Sequence, residues 1–194
     1  DDVESRGLGD VYKRQELSGV VYCGTAELPA VAEAALPVVQ SLCEKFGAKT
    51  DVTALGDVFN TICNLSVREK NTLPVAWISR NRQNQESYLS DPLCGFPLKL
   101  GGYRDLFALA VECGRREWAT LVPEDLPIMI ISGAKDPVGF NGRGTLSVAD
   151  NLVLAGHEPT VILYPGDRHE ILFEDDHEIV YNDVLAWLHS IYLS

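Results

Sequence analysis

An aspartate and a histidine each follow a predicted buried strand, and together they could carry out acid–base chemistry. Leu126 to Ile131 is a short apolar run that predicts a strand covered on both faces, and Asp136 lies just beyond its end. Thr160 to Tyr164 predicts a second strand of this kind, and His169 lies in the turn after it. Open α/β sheets place their chemistry at the carboxyl ends of strands, so Asp136 and His169 are expected within hydrogen-bond reach. A carboxylate that orients an imidazole supplies two members of a nucleophilic triad.

Both residues need a sheet to position them, and the sequence predicts an α/β fold with three parallel strands and flanking helices. The first strand is predicted over residues 17–24, and helices over residues 30–46, 141–156 and 175–192. Pro37 is expected to kink or divide the first helix. The side chains expected to face inward are Val31, Ala34, Ala35, Val38, Val39, Leu42 and Phe46 in the first helix, Leu146, Ala149, Leu152 and Val153 in the second, and Ile179, Val180, Val184, Leu185, Leu188 and Ile191 in the third.

Between residues 48 and 117 the alternation of strand and helix breaks down. Short helices are predicted around residues 57–64, 77–79, 83–89 and 103–113. We interpret residues 48–117 as a helical insertion that covers the carboxyl ends of the strands as a cap, with residues 17–47 and 118–194 as the core. Four aromatic residues of the insertion could line an acyl pocket or form the cap's own core, and the sequence leaves both open: Trp77, Tyr88, Phe96 and Phe107.

Residues 1–16 do not follow the pattern of the rest of the chain. Gly7 to Gln15 resembles a run that arises when sequencing-adaptor DNA is translated, so we interpret residues 1–16 as a non-native, adaptor-derived segment. A disordered native terminus is the alternative. On the adaptor interpretation the chain is a fragment and its first strand is an exposed sheet edge. The chain expressed alone is then expected to aggregate or to remain partly molten.

Charge and cysteine content limit the partners and the compartment. A net charge of −12 argues against nucleic acid or an anionic membrane as an electrostatically held partner. The five cysteines lack metal-ligand spacing, and their odd number suggests free, buried thiols in a reducing compartment. No apolar run approaches the ~20 residues that span a bilayer, and no secretory signal opens the chain. We therefore expect a cytoplasmic protein; the sequence does not indicate its oligomeric state.

Other side chains with acid–base or nucleophilic chemistry are assigned structural roles. They are His157, His177, His189, Ser18, Ser132 and Cys23. The three histidines are expected at a helix end, in a solvated acidic run and on the surface, in that order. The two serines do not occupy a strained strand-to-helix turn. The thiol of Cys23 follows an apolar strand, so it is interpreted as buried and not as a nucleophile.

Two strand-end motifs resemble the C-terminal half of the α/β-hydrolase fold. They are Ser-Gly-Ala-Lys-Asp-Pro-Val-Gly at residues 132–139 and Gly-Asp-Arg-His-Glu at residues 166–170. More closely, the chain from residue 17 to residue 193 is similar to the lysophospholipase and monoacylglycerol-lipase-like group of serine aminopeptidase S33-type hydrolases. The segments that resemble that group's cap are residues 77–80, 91–96 and 101–107.

The resemblance implies a serine ester hydrolase that acts on a lysophospholipid, a monoacylglycerol or a similar acyl ester through an acyl-serine intermediate, without a metal or an organic cofactor. Asp136 would be the acid and His169 the general base of the triad. The family's chain order is serine, acid, histidine, but the sequence contains no G-x-S-x-G and no His-Gly stretch that could supply an oxyanion hole. We expect the serine upstream of Leu17, and the chain as given is expected to be inactive without it.

Two alternatives stay open. The chain could be a non-catalytic binding module that uses the same fold. It could also belong to another α/β-hydrolase, such as a peptidase, a haloperoxidase or an epoxide hydrolase. The sequence upstream of Leu17 would distinguish them, because G-x-S-x-G there supports the enzyme and a genuine start codon near Leu17 supports the module.

Overall fold

Three parallel strands form the sheet that positions the predicted site. The computed structural model describes residues 17–193 except 28, 68, 70 and 71. The strands are β1 (Val20–Cys23), β2 (Ile128–Gly133) and β3 (Thr160–Tyr164), in the spatial order β1-β2-β3. Both pairings are parallel, with Cys23 opposite Ile131 and Gly133 opposite Tyr164. The interpretation of residues 1–16 concerns residues outside the described part of the chain.

Six α-helices and two short 3-10 helices accompany these strands in the described part of the chain. The α-helices are α1 (Pro29–Phe46), α2 (Thr53–Asn64), α3 (Arg82–Ser90), α4 (Leu100–Cys113), α5 (Arg143–Leu154) and α6 (His177–Tyr192). The 3-10 helices are Arg116–Leu121 and Ile171–Phe173. The predicted strand–helix alternation after residue 118 is therefore confirmed, and the insertion holds α2, α3 and α4.

Strand β2 is the centre of the core because helices cover both of its faces. Ile128 and Ile130 pack with Leu152 of α5 on one face, and Met129 and Ile131 pack against α6 on the other. All six residues of β2 are buried, as the apolar run predicted. Strand β3 was also predicted to be covered on both faces, and that prediction is wrong. Residues 161–163 are only half-buried, because β3 lies at an edge of the described sheet.

Strand β1 occupies the other edge. Its backbone pairs with β2 alone among the described residues, which agrees with the expectation of an exposed edge at this strand. It is shorter than predicted, since pairing begins at Val20 and ends at Cys23. Gly24 extends the ladder by one bond, donating its backbone N–H to the carbonyl oxygen of Ile131 at 2.9 Å.

The inward face predicted for α1 is partly wrong. Val31, Val38 and Phe46 are exposed, whereas Ala32, Val39 and Cys43 are buried. The three buried positions lie on a single face of the helix. The reason is that α1 packs mainly against α4, through a cluster that includes Val39, Cys43, Leu100 and Phe107, and not against the sheet. The helix also continues through Pro37 without being divided.

The buried faces of α5 and α6 differ from the predicted faces by a small rotation. In α5, Leu146 and Val153 are exposed, while Thr145 and Val148 are buried. In α6, Ile179 and Leu185 are exposed, while Val180 and Trp187 are buried. A helical period gives the width of an apolar stripe, but neighbouring apolar residues leave its centre uncertain by one position.

The insertion has a small core of its own. Cys63, Val75, Trp77 and Ile78 are buried together, with Tyr88 packed against them. Residues 74–78 form turns, so the helix predicted around residues 77–79 is wrong. The division into residues 17–47 and 118–194 as core and 48–117 as cap stays a prediction. Helix α1, which was assigned to the core, shares a cluster with α4 of the insertion.

Within the described residues, no helix is both long enough and apolar enough to cross a bilayer.

Truncating the centre of β2 should destabilise the fold strongly. Ile130 has no exposed surface, so Ile130→Ala should lower the free energy of unfolding by about 2–5 kcal/mol, from lost burial and the cavity left behind. Val153→Ala on the exposed side of α5 is the matched control, with an expected change below about 0.5 kcal/mol. Urea unfolding measures both, and equal losses would contradict the assignment of β2 as the core strand.

Candidate active site

The loop after β2 is tied to the loop after β3 by backbone hydrogen bonds. Ala134 donates its backbone N–H to the carbonyl oxygen of Tyr164 at 2.9 Å, and Lys135 donates to that of Asp167 at 2.8 Å. The two loops approach each other closely at Gly133, where an added Cβ would lie 2.1 Å from the carbonyl oxygen of Arg168. Only glycine fits this crossing, and the crossing brings the segments that carry Asp136 and His169 side by side.

The carboxylate of Asp136 is fully buried and accepts two hydrogen bonds. Oδ1 accepts from the backbone N–H of Val138 at 2.8 Å, and Oδ2 lies 2.9 Å from Nδ1 of His169. The following turn is closed by Asn141, which donates its backbone N–H to the carbonyl oxygen of Asp136 at 2.8 Å. Phe140 and Asn141 have φ of 50° and 55°, a left-handed conformation that is uncommon for residues other than glycine.

The imidazole of His169 lies between the sheet and the insertion. On one side its ring centroid is 5.5 Å from that of Trp77, with the planes at 39°. Next to β1, a Cβ added at Gly24 would lie 3.6 Å from Cε1 of the imidazole, so the backbone at the end of β1 packs beside the ring. The side chain of His169 is 33% exposed, so the ring is held by its neighbours but remains accessible.

The charge of Asp136 favours the protonated form of His169. Burial of the ring lowers the pKa of His169, but the hydrogen bond to Asp136 and its negative charge raise it, and Glu170 adds to the rise. The net result is a raised pKa. Since a carboxylate only accepts, Nδ1 must carry the proton in this bond. The lone pair of neutral His169 is then on Nε2, which makes no hydrogen bond to any described residue and could accept a proton from a reacting group.

The structure brings together the two residues that the sequence selected, and it places the other histidines elsewhere. His157 lies just after α5, as expected, and is buried with Nε2 3.2 Å from the carbonyl oxygen of Ala119. His189 is exposed, as predicted. His177 is not solvated as predicted. It is half-buried, with Nδ1 2.7 Å from the carbonyl oxygen of Glu174 and its ring against Tyr181.

None of the serines and cysteines in the described part of the chain is hydrogen-bonded to the imidazole of His169. Ser18 is exposed, and the buried hydroxyl of Ser132 has no hydrogen-bond partner. Cys23 is exposed, which corrects the prediction of a buried thiol. Partial burial of the thiol and the charge of Asp136 raise the pKa of Cys23, so it is not activated as a thiolate. The same two causes raise the pKa of the buried Cys63 to about 11.

All five cysteines are free thiols, as predicted, but only Cys43 and Cys63 are buried. Among the described residues, no group of three or more His, Cys, Asp or Glu side chains could hold a metal ion.

The four aromatic residues of the insertion have different environments. Trp77 and Tyr88 lie in the insertion's core, Phe107 packs between α1 and α4, and Phe96 is exposed. Only Trp77 both belongs to that core and contacts His169. The alternative that these aromatics form the insertion's own core is therefore confirmed for Trp77 and Tyr88, and the acyl pocket stays a prediction.

Two open cavities lie away from the Asp136–His169 pair. One, of about 360 Å³, is lined by Glu27, Phe140, Arg143, Gly144 and Ser147. The other, of about 240 Å³, lies between α3 and the start of α6 and includes Asn84, Phe173 and Tyr181. Neither of these two cavities is lined by Asp136 or His169.

Sequence reasoning missed the side chains that hold the His169 loop to the insertion. Glu174, Arg168 and Asp167 are all buried and bonded to residues 76–81. Trp77 was named among the aromatic residues that could line an acyl pocket, but its contact with His169 was not predicted. Glu174 offered no signal in the sequence, since it opens the acidic run Glu-Asp-Asp, which ordinarily indicates a solvated surface.

Comparison with solved structures defines the class as an α/β-hydrolase. A thermostable carboxyl esterase from Bacillus coagulans, solved with glycerol, is 30% identical with a TM-score of 0.80, covering 96% of this chain and 61% of that chain. A lipase in an open form is 22% identical with a TM-score of 0.73 and the same coverage. A monoacylglycerol lipase from Paleococcus ferrophilus is 18% identical with a TM-score of 0.58, covering 95% of this chain and 65% of that chain.

The family follows from the sequence itself. The model described as serine aminopeptidase, S33, matches residues 10–176, and the chain belongs to this family. The predicted resemblance is thereby confirmed, as are the α/β-hydrolase fold and a hydrolase family that includes esterases and lipases. No curated protein sequence matches the chain significantly. The chain spans 61% of the length of the esterase and of the lipase.

The raised pKa of His169 predicts how the stability of the fold depends on pH. The pKa of His169 is higher in the folded state than in the unfolded state, where it is near 6.5, so protonation of His169 stabilises the fold. This contribution is fully present below the unfolded pKa and is lost as pH rises through the folded pKa. The stability difference between the wild type and His169→Gln should therefore be largest below that pH and shrink above it. Urea unfolding across pH 5–9 measures the difference.

The control repeats the comparison with Asp136→Asn present. The hydrogen bond and the charge of Asp136 that raise the pKa of His169 are then gone, while burial of the ring still lowers it. The pH-dependent part of the difference should therefore vanish or reverse in sign. A difference that grew as pH rose with Asp136 present, or an unchanged pH dependence without Asp136, would contradict the assigned interaction.

Proposed function

We propose that this chain supplies the acid and the base of a serine ester hydrolase. The observation that carries the proposal is the bond from His169 Nδ1 to Asp136 Oδ2 at 2.9 Å, which leaves Nε2 open. Membership of the S33 family and the likeness to a carboxyl esterase support the same reaction class. In this proposal Asp136 is the acid of the triad and His169 is the base. The serine lies upstream of Leu17, because the sequence given contains no G-x-S-x-G.

The proposed reaction passes twice through the imidazole. His169 Nε2 takes the proton of the serine hydroxyl as the serine oxygen attacks the acyl carbonyl, and Asp136 stabilises the imidazolium that forms. The imidazolium then gives its proton to the leaving alcohol, which leaves an acyl-serine. Water repeats the two steps, with His169 again as base and then as acid, and releases the carboxylic acid. No metal or organic cofactor is required for this sequence of steps.

An apolar path from the insertion to the imidazole supports an acyl ester with a hydrophobic acyl group as the substrate. Helix α2 carries four exposed apolar side chains, Leu55, Val58, Phe59 and Ile62. The ring of Phe59 meets that of Trp77 edge to face with centroids 5.5 Å apart, and Trp77 contacts His169. An acyl chain laid along this path would place its ester near Nε2. A monoacylglycerol or a lysophospholipid has this combination of apolar chain and ester.

The competing functions differ in what they require of the same residues. A non-catalytic module would keep the fold but show no turnover that depends on His169, and the absence of G-x-S-x-G from the sequence is the observation in its favour. A peptidase would use the same pair on an amide. The cytoplasmic location also remains a proposal, and five free thiols support it.

Removing the imidazole should abolish ester hydrolysis by the full-length protein, meaning the natural protein that contains residues 17–194. His169→Ala should reduce kcat/KM for p-nitrophenyl butyrate by at least about 10³-fold, because the base is lost. The melting temperature should also fall, because the buried Asp136 loses a hydrogen-bond donor, so activity is compared at a temperature at which the variant is folded. His189→Ala, at an exposed position of α6, is the matched control and should retain activity. Residues 17–194 alone should show no activity.

Three results would count against this proposal. They are a full-length protein that hydrolyses amides but not esters, one that hydrolyses neither, and one in which His169→Ala is as active as the wild type. Activity of residues 17–194 alone would show that the nucleophile lies within them.

Shortening the apolar path should change the preference for acyl length. Phe59→Ala should lower kcat/KM for a p-nitrophenyl ester of a long acyl chain by about tenfold, from lost apolar contact, and should change acetate hydrolysis much less. Phe96→Ala is the control, because Phe96 is an exposed aromatic residue of the same insertion that contacts neither Trp77 nor His169 in the described structure. Equal effects of Phe59→Ala on short and long esters would place the acyl chain elsewhere.

A further inference from the structure

The loop that carries His169 is fastened to the insertion at a buried carboxylate. We call residues 165–170 the His169 loop and residues 76–81 the clamp segment. Glu174, just after the loop, has no exposed surface. Its Oε1 accepts from the backbone N–H of Arg168 at 2.9 Å and from that of Arg80 at 3.0 Å. One oxygen therefore joins the residue that precedes His169 to the clamp segment.

The second oxygen of Glu174 binds the clamp segment alone. Oε2 accepts from Ser79 Oγ at 2.9 Å and from the backbone N–H groups of Arg80 at 2.8 Å and Asn81 at 3.3 Å. A buried carboxylate that accepts this many N–H and O–H bonds is held in one position, and the donors are held with it. The clamp segment, which includes Trp77, is thereby fixed relative to the His169 loop.

Three further contacts join the same two segments. Glu170 donates its backbone N–H to the carbonyl oxygen of Ile78 at 2.7 Å, directly after His169. Arg168 Nη1 donates to the carbonyl oxygen of Ala76 at 2.6 Å. Arg80 Nη2 donates to Oδ1 of the buried Asp167 at 2.5 Å. The residues on both sides of His169 are thus bonded to the clamp segment, while the imidazole itself bonds to Asp136 of the sheet.

We propose that Glu174 is a positioning residue that holds His169 between Trp77 of the insertion and Asp136 of the sheet. Glu174 does not contact the imidazole; it acts by fastening Arg168, one residue away, to the segment that carries Trp77. The inference rests on the proposed role of His169 as the base. It goes beyond that role because it makes the position of the base depend on the insertion, so that displacement of residues 76–81 would move the imidazole.

This role requires both carboxylate oxygens of Glu174 to accept hydrogen bonds. Glu174→Gln keeps the shape of the side chain but replaces one accepting oxygen by an NH₂ group, which faces N–H or O–H donors and cannot accept from the backbone amides. A buried donor left without a partner is destabilising. The His169 loop and the clamp segment should then separate, the imidazole should leave Asp136, and the cause of its raised pKa should be lost.

The test reads the imidazole directly by NMR of the full-length protein with labelled histidines, assigned by single His→Gln variants. In Glu174→Gln, the pKa of His169 should fall and the ring-current shift that Trp77 imposes on the imidazole protons should diminish. Glu174→Asp retains a carboxylate and should restore both in part. Glu178→Gln, an exposed acid in the first turn of α6, is the matched control and should leave both unchanged.

A residue that only stabilised the fold would lower the melting temperature without moving these two signals. A folded Glu174→Gln protein with an unchanged pKa and ring-current shift at His169 would overturn the inference. If Glu174→Gln does not fold, Ser79→Ala decides, because it removes a single donor on the clamp side. A smaller fall in the pKa of His169 and a smaller loss of the ring-current shift in Ser79→Ala would support the inference. If neither signal changed in Ser79→Ala, the inference would be overturned.

The readout does not depend on turnover, so the two proposals can fail separately. A full-length protein without esterase activity but with a displaced imidazole in Glu174→Gln would remove the proposed function and leave the positioning role. An active protein in which Glu174→Gln leaves the imidazole in place would support the proposed function and remove the positioning role.

Discussion

The site depends on a carboxylate that is buried without a lysine or arginine beside it. Asp136 has no exposed surface, and its one ion-pair partner among the described residues is His169. Burying an unpaired carboxylate costs several kcal/mol, and this cost is offset only when its oxygens accept good hydrogen bonds. The backbone N–H of Val138 and the ring N–H of His169 are the two donors that reach it. The requirement to satisfy one buried acid therefore holds the two strand-end loops together.

The backbone makes this arrangement possible where β2 meets the His169 loop. Gly133 lets the backbone of Arg168 pass at a distance that no side chain would allow. The turn after Asp136 places two non-glycine residues in the left-handed region, an arrangement that costs energy and that surrounding contacts must sustain. The pair is thus built from the sheet outward, with the central strand of the core supplying the fixed point.

The insertion supplies the second set of constraints. Trp77 lies against the imidazole, and Glu174 ties the loop to the segment that holds Trp77. Three acids, Asp167, Glu174 and Asp176, surround the single guanidinium of Arg80. This excess of negative charge has a measurable consequence, because burial and the charge of Asp176 raise the pKa of Asp167 to about 6 even though Arg80 opposes the rise. The His169 loop is consequently held by a network in which three carboxylates share the positive charge of Arg80.

The strands and the Asp136–His169 pair could be predicted from the sequence because their signals are local. A short apolar run followed by a turn with Asp or His specifies both a parallel strand and the end at which its polar residue lies. The buried faces of α1, α5 and α6 could not be predicted as well, because each depends on a partner that is distant in sequence. Val38, for example, is exposed because α1 turns toward α4 and not toward the sheet.

The residues around the Asp136–His169 pair were harder to predict from the sequence than the helix faces. Glu174 belongs to an acidic run and is buried only because donors from residues 79–81, more than ninety positions earlier, converge on it. Phe140 has no local preference for its left-handed conformation. Contacts of this kind arise from the whole fold, so no spacing or composition within one segment indicates them.

The central claim is that His169, oriented by Asp136, is the base that activates a serine. The most direct measurement is the pH dependence of the rate at which a fluorophosphonate labels the full-length protein. The account predicts that a serine is labelled at a rate that rises as pH passes through the pKa of His169 found by NMR, because only the neutral imidazole can take the serine proton. Labelling that shows no dependence on the protonation of His169, or no labelling of a serine at all, would contradict it.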